Sequence, residues 1–154
     1  MNIFVLDDTP EKSARCQIDK HVVKMPLESA QMLCTALHRH GVDGTPYRIT
    51  HQNHPCTIWT GNNVSNFLWL VRHGLALCFE YSSRYGKTHK CQPLIGWCAA
   101  QSYKLPDGSL TGHALAMPDA YKSHSAIESY RKYYMMEKLH IATWKQNKPD
   151  WWRP

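Results

Sequence analysis

The stretch DKHVVKMPLESAQMLCTALH, residues 19–38, decides the fold of this chain. At 100° per residue its apolar side chains fall on one helical face and its polar side chains on the other. The apolar face holds Val22, Val23, Ala30, Leu33, Cys34 and Leu37, and the polar face holds Lys20, His21, Lys24, Glu28, Gln31 and Thr35. Pro26 lies between the two halves and predicts a kink or a joint between two helices, because proline has no N–H for the helical ladder.

Two other segments carry helix boundary signals. Asn62 or Asn63 is suited to cap a helix that runs to Tyr85, with Gly86 closing it. Ser125 and Glu128 have the spacing of a capping box at the start of a later helix.

These signals predict an all-α fold. Thr9-Pro10-Glu11 has the form of a helix start, so we expect three main helices near 10–39, 62–85 and 125–139, with long ordered loops between them. Residues 2–6 could form a short strand, but no partner strand is evident. With 154 residues, the chain is long enough for one core, and we expect a single compact domain over 1–154.

Composition limits the class of protein. A 43 % hydrophobic content with 11 % aromatic residues excludes a disordered chain. No stretch reaches the roughly 20 apolar residues of a membrane span. The start, MNIFVLDD, is too short and too acidic for a signal peptide, so we expect a cytoplasmic protein of a bacterial or phage-infected cell.

The six cysteines contain no C-x-x-C pair, which favours reduced thiols over a zinc or redox motif. We therefore expect no metal ion and no other cofactor. One alternative stays open, since His51, His54 and Cys56 are close enough in sequence to be metal ligands.

Charge favours a polyanionic partner, such as DNA or a nucleotide. Lysine and arginine exceed the acidic residues by 18 to 12, which gives a net charge of +6. Lys20, His21, Lys24 and Glu28 could bind phosphate and move a proton, although a solvated helix face would show the same pattern.

Three more clusters fit such a ligand. The loop with His51, Asn53 and His54, followed by Trp59, has the polar edges and the aromatic ring that a base-binding pocket needs. Basic side chains also cluster at two other places. One group, at the end of the second helix and just after it, contains Arg84, His89 and Lys90. The other group, just before and within the third helix, contains Lys122 and Arg131, which we group with the Trp151-Trp152 tail. We expect Lys20, Lys24, Arg84, His89, Lys90 and Arg131 to converge on an anion site.

The order of these motifs resembles a known family. The relevant segments are Ser13-Ala14-Arg15, 19–24, 28–33, Tyr47, 54–59, 75–81 and 122–133. Together they are similar to the phage-type pyrimidine-dimer DNA glycosylases, the helical endonuclease V proteins.

The resemblance implies an all-α fold and action on a deoxynucleoside in DNA. Glu28, seven residues after His21, would be the catalytic carboxylate, and Arg131 a phosphate-binding arginine. The sugar would form a Schiff base with an amine while the glutamate handles protons.

This chain departs from the family pattern at two places. The family nucleophile is the amine of a small residue exposed by loss of the initiator methionine, whereas Asn2 disfavours that loss and leaves Met1 as the candidate amine. Leu27 and Gln31 stand where the family has arginines beside its glutamate.

The primary hypothesis is an enzyme acting on a nucleotide in DNA, either a pyrimidine-specific glycosylase with or without AP-lyase activity or an enzyme with a related base-modifying activity. The alternatives are an enzyme or binding protein for a free nucleotide or a nucleotide-derived signal, and a non-catalytic nucleic-acid-binding accessory protein. Candidate catalytic residues are Glu28, His21, Met1 and His54. Candidate binding residues are Lys20, Lys24, Gln31, His51, Asn53, Trp59, Arg84, His89, Lys90, Lys122 and Arg131.

Overall fold

The computed structural model describes residues 1–154 and contains helices but no strands. The six α-helices are α1 (Pro10–Arg15), α2 (Asp19–Arg39), α3 (Pro55–Gly61), α4 (Val64–Tyr85), α5 (Gln92–Ala100) and α6 (Ala126–Glu137). The all-α prediction is confirmed, but the number of helices is larger than the three expected. No helix is both long and apolar enough to cross a membrane.

The first predicted helix, 10–39, is two helices in the structure. α1 ends at Arg15, and Ile18 adopts an extended conformation before α2 begins. The backbone carbonyls of Arg15 and Gln17 at this break accept hydrogen bonds from the buried Arg84 side chain. The break therefore depends on a side chain from a distant helix, which the local sequence does not reveal.

The other predicted boundaries agree better with the structure. Asn63 caps α4, with its side chain accepting from the Asn66 N–H, and Gly86 ends it in the left-handed conformation at φ 68°. Ser125 caps α6 through the Glu128 N–H. The predicted loop before α4 contains α3, whose start at Pro55 places proline at the first helical position.

Helix α2 lies at the centre of the molecule, packed against α3, α4 and α5. It continues through Pro26 as one helix, so the predicted joint between two helices is not present. The predicted apolar face is buried except for Val23, which is 44 % exposed, but the predicted polar face is not solvated throughout, because His21, Glu28 and Thr35 are buried. A helix contacted on several sides has no wholly solvated face.

A buried ion-pair network joins α4 to the start of α2. The Arg84 side chain, 0 % exposed, bonds to Asp19 and to Glu80, each at 3.0 Å. The C-terminal segment joins this network, because Asn147 donates to Glu80 and the Lys145 N–H donates to Asp19.

Replacing Arg84 with methionine should destabilise the fold by about 3–5 kcal/mol, since two carboxylates would stay buried without their cation. Urea unfolding measures this loss. Arg72→Met on the same helix is the matched control, because its pair with Glu11 is more than half exposed and should cost at most about 1 kcal/mol. Equal costs for the two variants would contradict the role given to Arg84.

Candidate active site

The α-amine of Met1 lies within ion-pair distance of the Glu28 carboxylate. The Met1 nitrogen lies 3.8 Å from Glu28 Oε2, and the Asn2 N–H donates to the same oxygen at 3.0 Å. The other oxygen, Oε1, lies 3.4 Å from the Lys24 ammonium. Glu28 is only 9 % exposed, so a largely buried carboxylate lies between two amines.

The N-terminal segment is held in place by its own side chains. Asn2 Oδ1 accepts from the N–H of Ile3 and of Phe4, and Asn2 Nδ2 donates to the Ala116 carbonyl. This turn places Phe4 at φ 58°, a left-handed conformation that a bulky residue rarely adopts. The Met1 side chain is 2 % exposed, so its burial also holds the amine in place.

His21 is buried in aromatic packing and does not lie among the exposed cations. Its ring stacks on Phe4 with centroids 4.4 Å apart, and its Nδ1 is 2.7 Å from the Tyr134 hydroxyl. Burial, helped by Lys138 and Lys24, lowers the pKa of His21 from 6.5 to about 3. The imidazole is therefore neutral at pH 7 and supports the N-terminal turn through Phe4.

Two buried histidines, His21 and His73, and the half-buried His113 should make the fold sensitive to acid. Burial also lowers the pKa of His73 to about 3 and that of His113 to about 4. Because these pKa values lie below that of an unfolded histidine, stability is full above about pH 6.5 and is lost as the pH falls towards 4. The slope should approach about 1.4 kcal/mol per pH unit for each histidine.

Urea unfolding at pH 7, 6 and 5 measures this slope. His113→Gln should reduce it by about one histidine's share, whereas His140→Gln, at an exposed position, should leave it unchanged. A free energy of unfolding that stays constant from pH 7 to pH 5 would contradict the interpretation.

His54 caps α3 and faces the same site. Its Nδ1 accepts the Cys56 N–H at 3.1 Å, so in the neutral ring the proton lies on Nε2. Burial lowers the pKa of His54, the Met1 ammonium and His51 lower it further, and Glu28 opposes them. His54 is thus a neutral donor held near the amine and the carboxylate.

Neither a thiol nucleophile nor a metal centre is formed here. All six cysteines are free and buried. Burial raises the pKa of Cys56 to about 11, which keeps the thiol protonated at neutral pH. No group of three or more His, Cys, Asp or Glu side chains is arranged to hold a metal ion, and this includes His51, His54 and Cys56.

A cleft of about 410 Å³ lies between α2 and the segment that follows α4, and Lys24, the ion-pair partner of Glu28, lies in its wall. Lys24, His89 and Lys90 line it together with Leu27 and Tyr81. His89 is fixed there, because its Nε2 bonds to the Val23 carbonyl and its Nδ1 accepts the Cys91 N–H. The structure thus brings three of the predicted binding residues together in one cleft, and one of them, Lys24, also pairs with Glu28.

Other predicted residues lie elsewhere. Arg84 belongs to the buried network, Lys122 pairs with Asp119, and Arg131 bonds to Asp7 and the Leu6 carbonyl. Lys20 is exposed and Gln31 is half-buried on α2. The expected convergence of six basic side chains is therefore wrong for Arg84, which is enclosed by its own partners.

Trp59 is not free to stack on a ligand, since it is 4 % exposed and packs edge-on against Trp69 and at 4.8 Å from His113. His51 and Asn53 are both exposed in the loop before α3. Trp151 and Trp152 are half-buried against the core, and Arg131 lies 5.0 Å over the Trp151 ring.

Sequence reasoning missed two contributors to the site. Asn2 shapes the turn that aims the amine, and its tendency to bond to the backbone one and two residues ahead was an available signal. Lys138 places its ammonium over the Phe4 and Tyr133 rings, at 5.8 and 5.3 Å. No pattern in the sequence indicates that contact, because it joins the two ends of the chain.

A model of the family described as "Pyrimidine dimer DNA glycosylase" matches residues 1–93, more than half of the chain, and this region includes Met1, Glu28 and His54. No curated protein and no solved structure matches the chain. The chain belongs to the pyrimidine dimer DNA glycosylase family.

Proposed function

We propose that this protein is a DNA glycosylase that removes a damaged pyrimidine, with the Met1 amine as nucleophile and Glu28 as the proton-handling group. One observation carries the proposal: a carboxylate that is 9 % exposed lies 3.8 Å from the α-amine. A passive DNA-binding protein has no need for a buried carboxylate at its N-terminus, because burial of an ionised group is costly.

The reaction begins with attack of the neutral Met1 nitrogen on C1′ of the deoxyribose. The C1′–N bond to the base breaks, and the base leaves with the electron pair and takes a proton from solvent. Glu28 accepts the proton that the nitrogen loses and returns it to O4′ as the sugar ring opens, which leaves a protonated imine.

Two outcomes are open to the imine. Water can hydrolyse it, which frees the amine and leaves an abasic site. Alternatively, Glu28 can take a proton from C2′, and the C3′–O bond then breaks with release of the 3′ phosphate as the leaving group. The second path is the AP-lyase activity that we include in the proposal.

Neighbouring side chains have supporting roles in this scheme. Lys24 forms an ion pair with the second oxygen of Glu28. It would supply the positive charge that the family's arginines provide at the positions held here by Leu27 and Gln31. Lys24 and Lys90, both exposed in the cleft, would bind the phosphates that flank the reacting sugar. His54 would donate its Nε2–H to the base or the sugar.

A duplex with one thymine dimer and the same duplex without damage test the proposal directly. We expect strand scission or alkali-sensitive sites at the dimer in the first duplex only, measured on a denaturing gel. The absence of both products from the damaged duplex at micromolar protein would overturn the proposal.

A further inference from the structure

A second cavity, of about 430 Å³, lies away from Glu28, between the C-terminal half of α2 and the start of α3. Its volume is within the range of ordinary ligand pockets. Thr35 and Arg39 of α2 line it, and they lie seven and eleven residues after Glu28. At 100° and 1.5 Å per residue, Thr35 is on the same helical face as Glu28 and about 10 Å along the axis.

A buried polar group without a hydrogen-bond partner lines this cavity. Thr57 is 3 % exposed, and its Oγ1 has no hydrogen-bond partner. Leaving a buried hydroxyl unpaired disfavours folding, so a polar atom of a ligand at this position would restore a lost interaction.

A cation lies in the wall of the cavity and has no counter-ion. Arg39 makes only long hydrogen bonds, 3.3 Å each, to the Ile58 carbonyl and to Asn62 Oδ1. The ion pairs of the protein all involve other residues. Gly61 leaves room for the guanidinium, because a Cβ there would lie 3.2 Å from Arg39 Nη1.

The remaining walls suit a flat, polar-edged ring. Ile49 and Ile58 are 49 % and 42 % exposed and present apolar surface, while Gln52 and Asn53 present carboxamides. These two amides follow His51, whose φ of 48° is a left-handed conformation. Non-glycine residues in this conformation are uncommon and cluster at active sites and ligand clamps.

We propose that this cavity binds a single nucleotide unit, separate from the reacting centre at Glu28. The base lies between Ile49 and Ile58, its polar edge meets Gln52, Asn53 and the Thr57 hydroxyl, and its phosphate pairs with Arg39. The unit comes either from the bound DNA, at a nucleotide other than the one that reacts at Glu28, or from a free mononucleotide.

Calorimetric titration with each of the four deoxynucleoside monophosphates tests the free source, and fluorescence anisotropy with an undamaged duplex tests the DNA source. The informative variants are Arg39→Met, which removes the phosphate partner, and Thr57→Val, which keeps the shape and removes the hydroxyl. Thr57→Val should fold at least as stably as the parent, since no bond within the protein is lost. Arg72→Met is the control for the loss of one positive charge outside the cavity.

Affinity should fall at least about tenfold in Arg39→Met and about threefold to tenfold in Thr57→Val. Loss of mononucleotide binding in both variants assigns a free ligand. Loss of duplex affinity in both, beyond that in Arg72→Met and with no mononucleotide binding, assigns a nucleotide of the DNA. Affinities for both probes that match the parent in Thr57→Val and Arg39→Met would overturn the proposal.

The DNA source rests on the proposed function, but failure of the cavity proposal can be distinguished from failure of the proposed glycosylase activity. Glu28→Gln should leave binding in this cavity unchanged, and binding is measured without any chemical step. If Thr57→Val and Arg39→Met both still release the base and their binding is unchanged, the proposal for the cavity is rejected and the proposed glycosylase activity stands.

Discussion

Replacing Glu28 with glutamine is expected to lower the rate of base release by roughly 10²–10⁴-fold while leaving DNA affinity nearly unchanged. Glutamine preserves the shape and still accepts the Asn2 N–H, which bonds to Glu28 Oε2 at 3.0 Å. It removes the group that takes a proton from the Met1 nitrogen. Single-turnover incision of the dimer duplex measures the rate, and anisotropy measures the affinity.

Glu137→Gln is the matched control for this substitution, because it removes one carboxylate from the exposed end of α6. Its incision rate should match that of the parent. A Glu28→Gln protein that incises at the parental rate would show that the family relationship extends to the fold and not to this carboxylate.

Moving the N-terminal amine away from Glu28 should lower base release by a similar factor. A two-residue extension before Met1 moves the free amine by up to about 7 Å, and nucleophilic attack is sensitive to shifts of about 1 Å. We expect the yield of base release to fall by at least about 10²-fold. Incision by the extended chain, compared with the chain that starts at Met1, gives the measurement.

The extended chain must keep its fold and its DNA affinity for this test to hold, and both are measured by urea unfolding and anisotropy. An extended chain with parental incision would exclude the α-amine and direct attention to Lys24, whose ammonium lies 3.4 Å from Glu28 Oε1.

Local signals in the sequence predicted the parts of the fold that depend on neighbouring residues. Asn63, Gly86 and Ser125 end or begin helices as expected, because a cap depends on bonds within one turn. Glu28 and His54 were also singled out from residue type and spacing, and they lie together in the structure. Their roles in catalysis stay predictions.

Long-range packing accounts for the errors. Arg84 looked like a helix-terminal cation, but Asp19 and Glu80 enclose it in a buried network. Trp59 looked like a stacking platform, but Trp69 and His113 cover it. Which side chains are covered depends on how helices far apart in sequence pack, and periodicity along one helix does not contain that information.

Borohydride trapping tests the central claim, that the Met1 amine forms the imine, most directly. Sodium borohydride reduces a protein–DNA imine to a stable amine, and mass spectrometry of the digested adduct identifies the peptide that carries the sugar. The account predicts an adduct on the α-nitrogen of the peptide that begins with Met1, with much less adduct in Glu28→Gln. An adduct on Lys24, or no adduct during active incision of the dimer duplex, would contradict it.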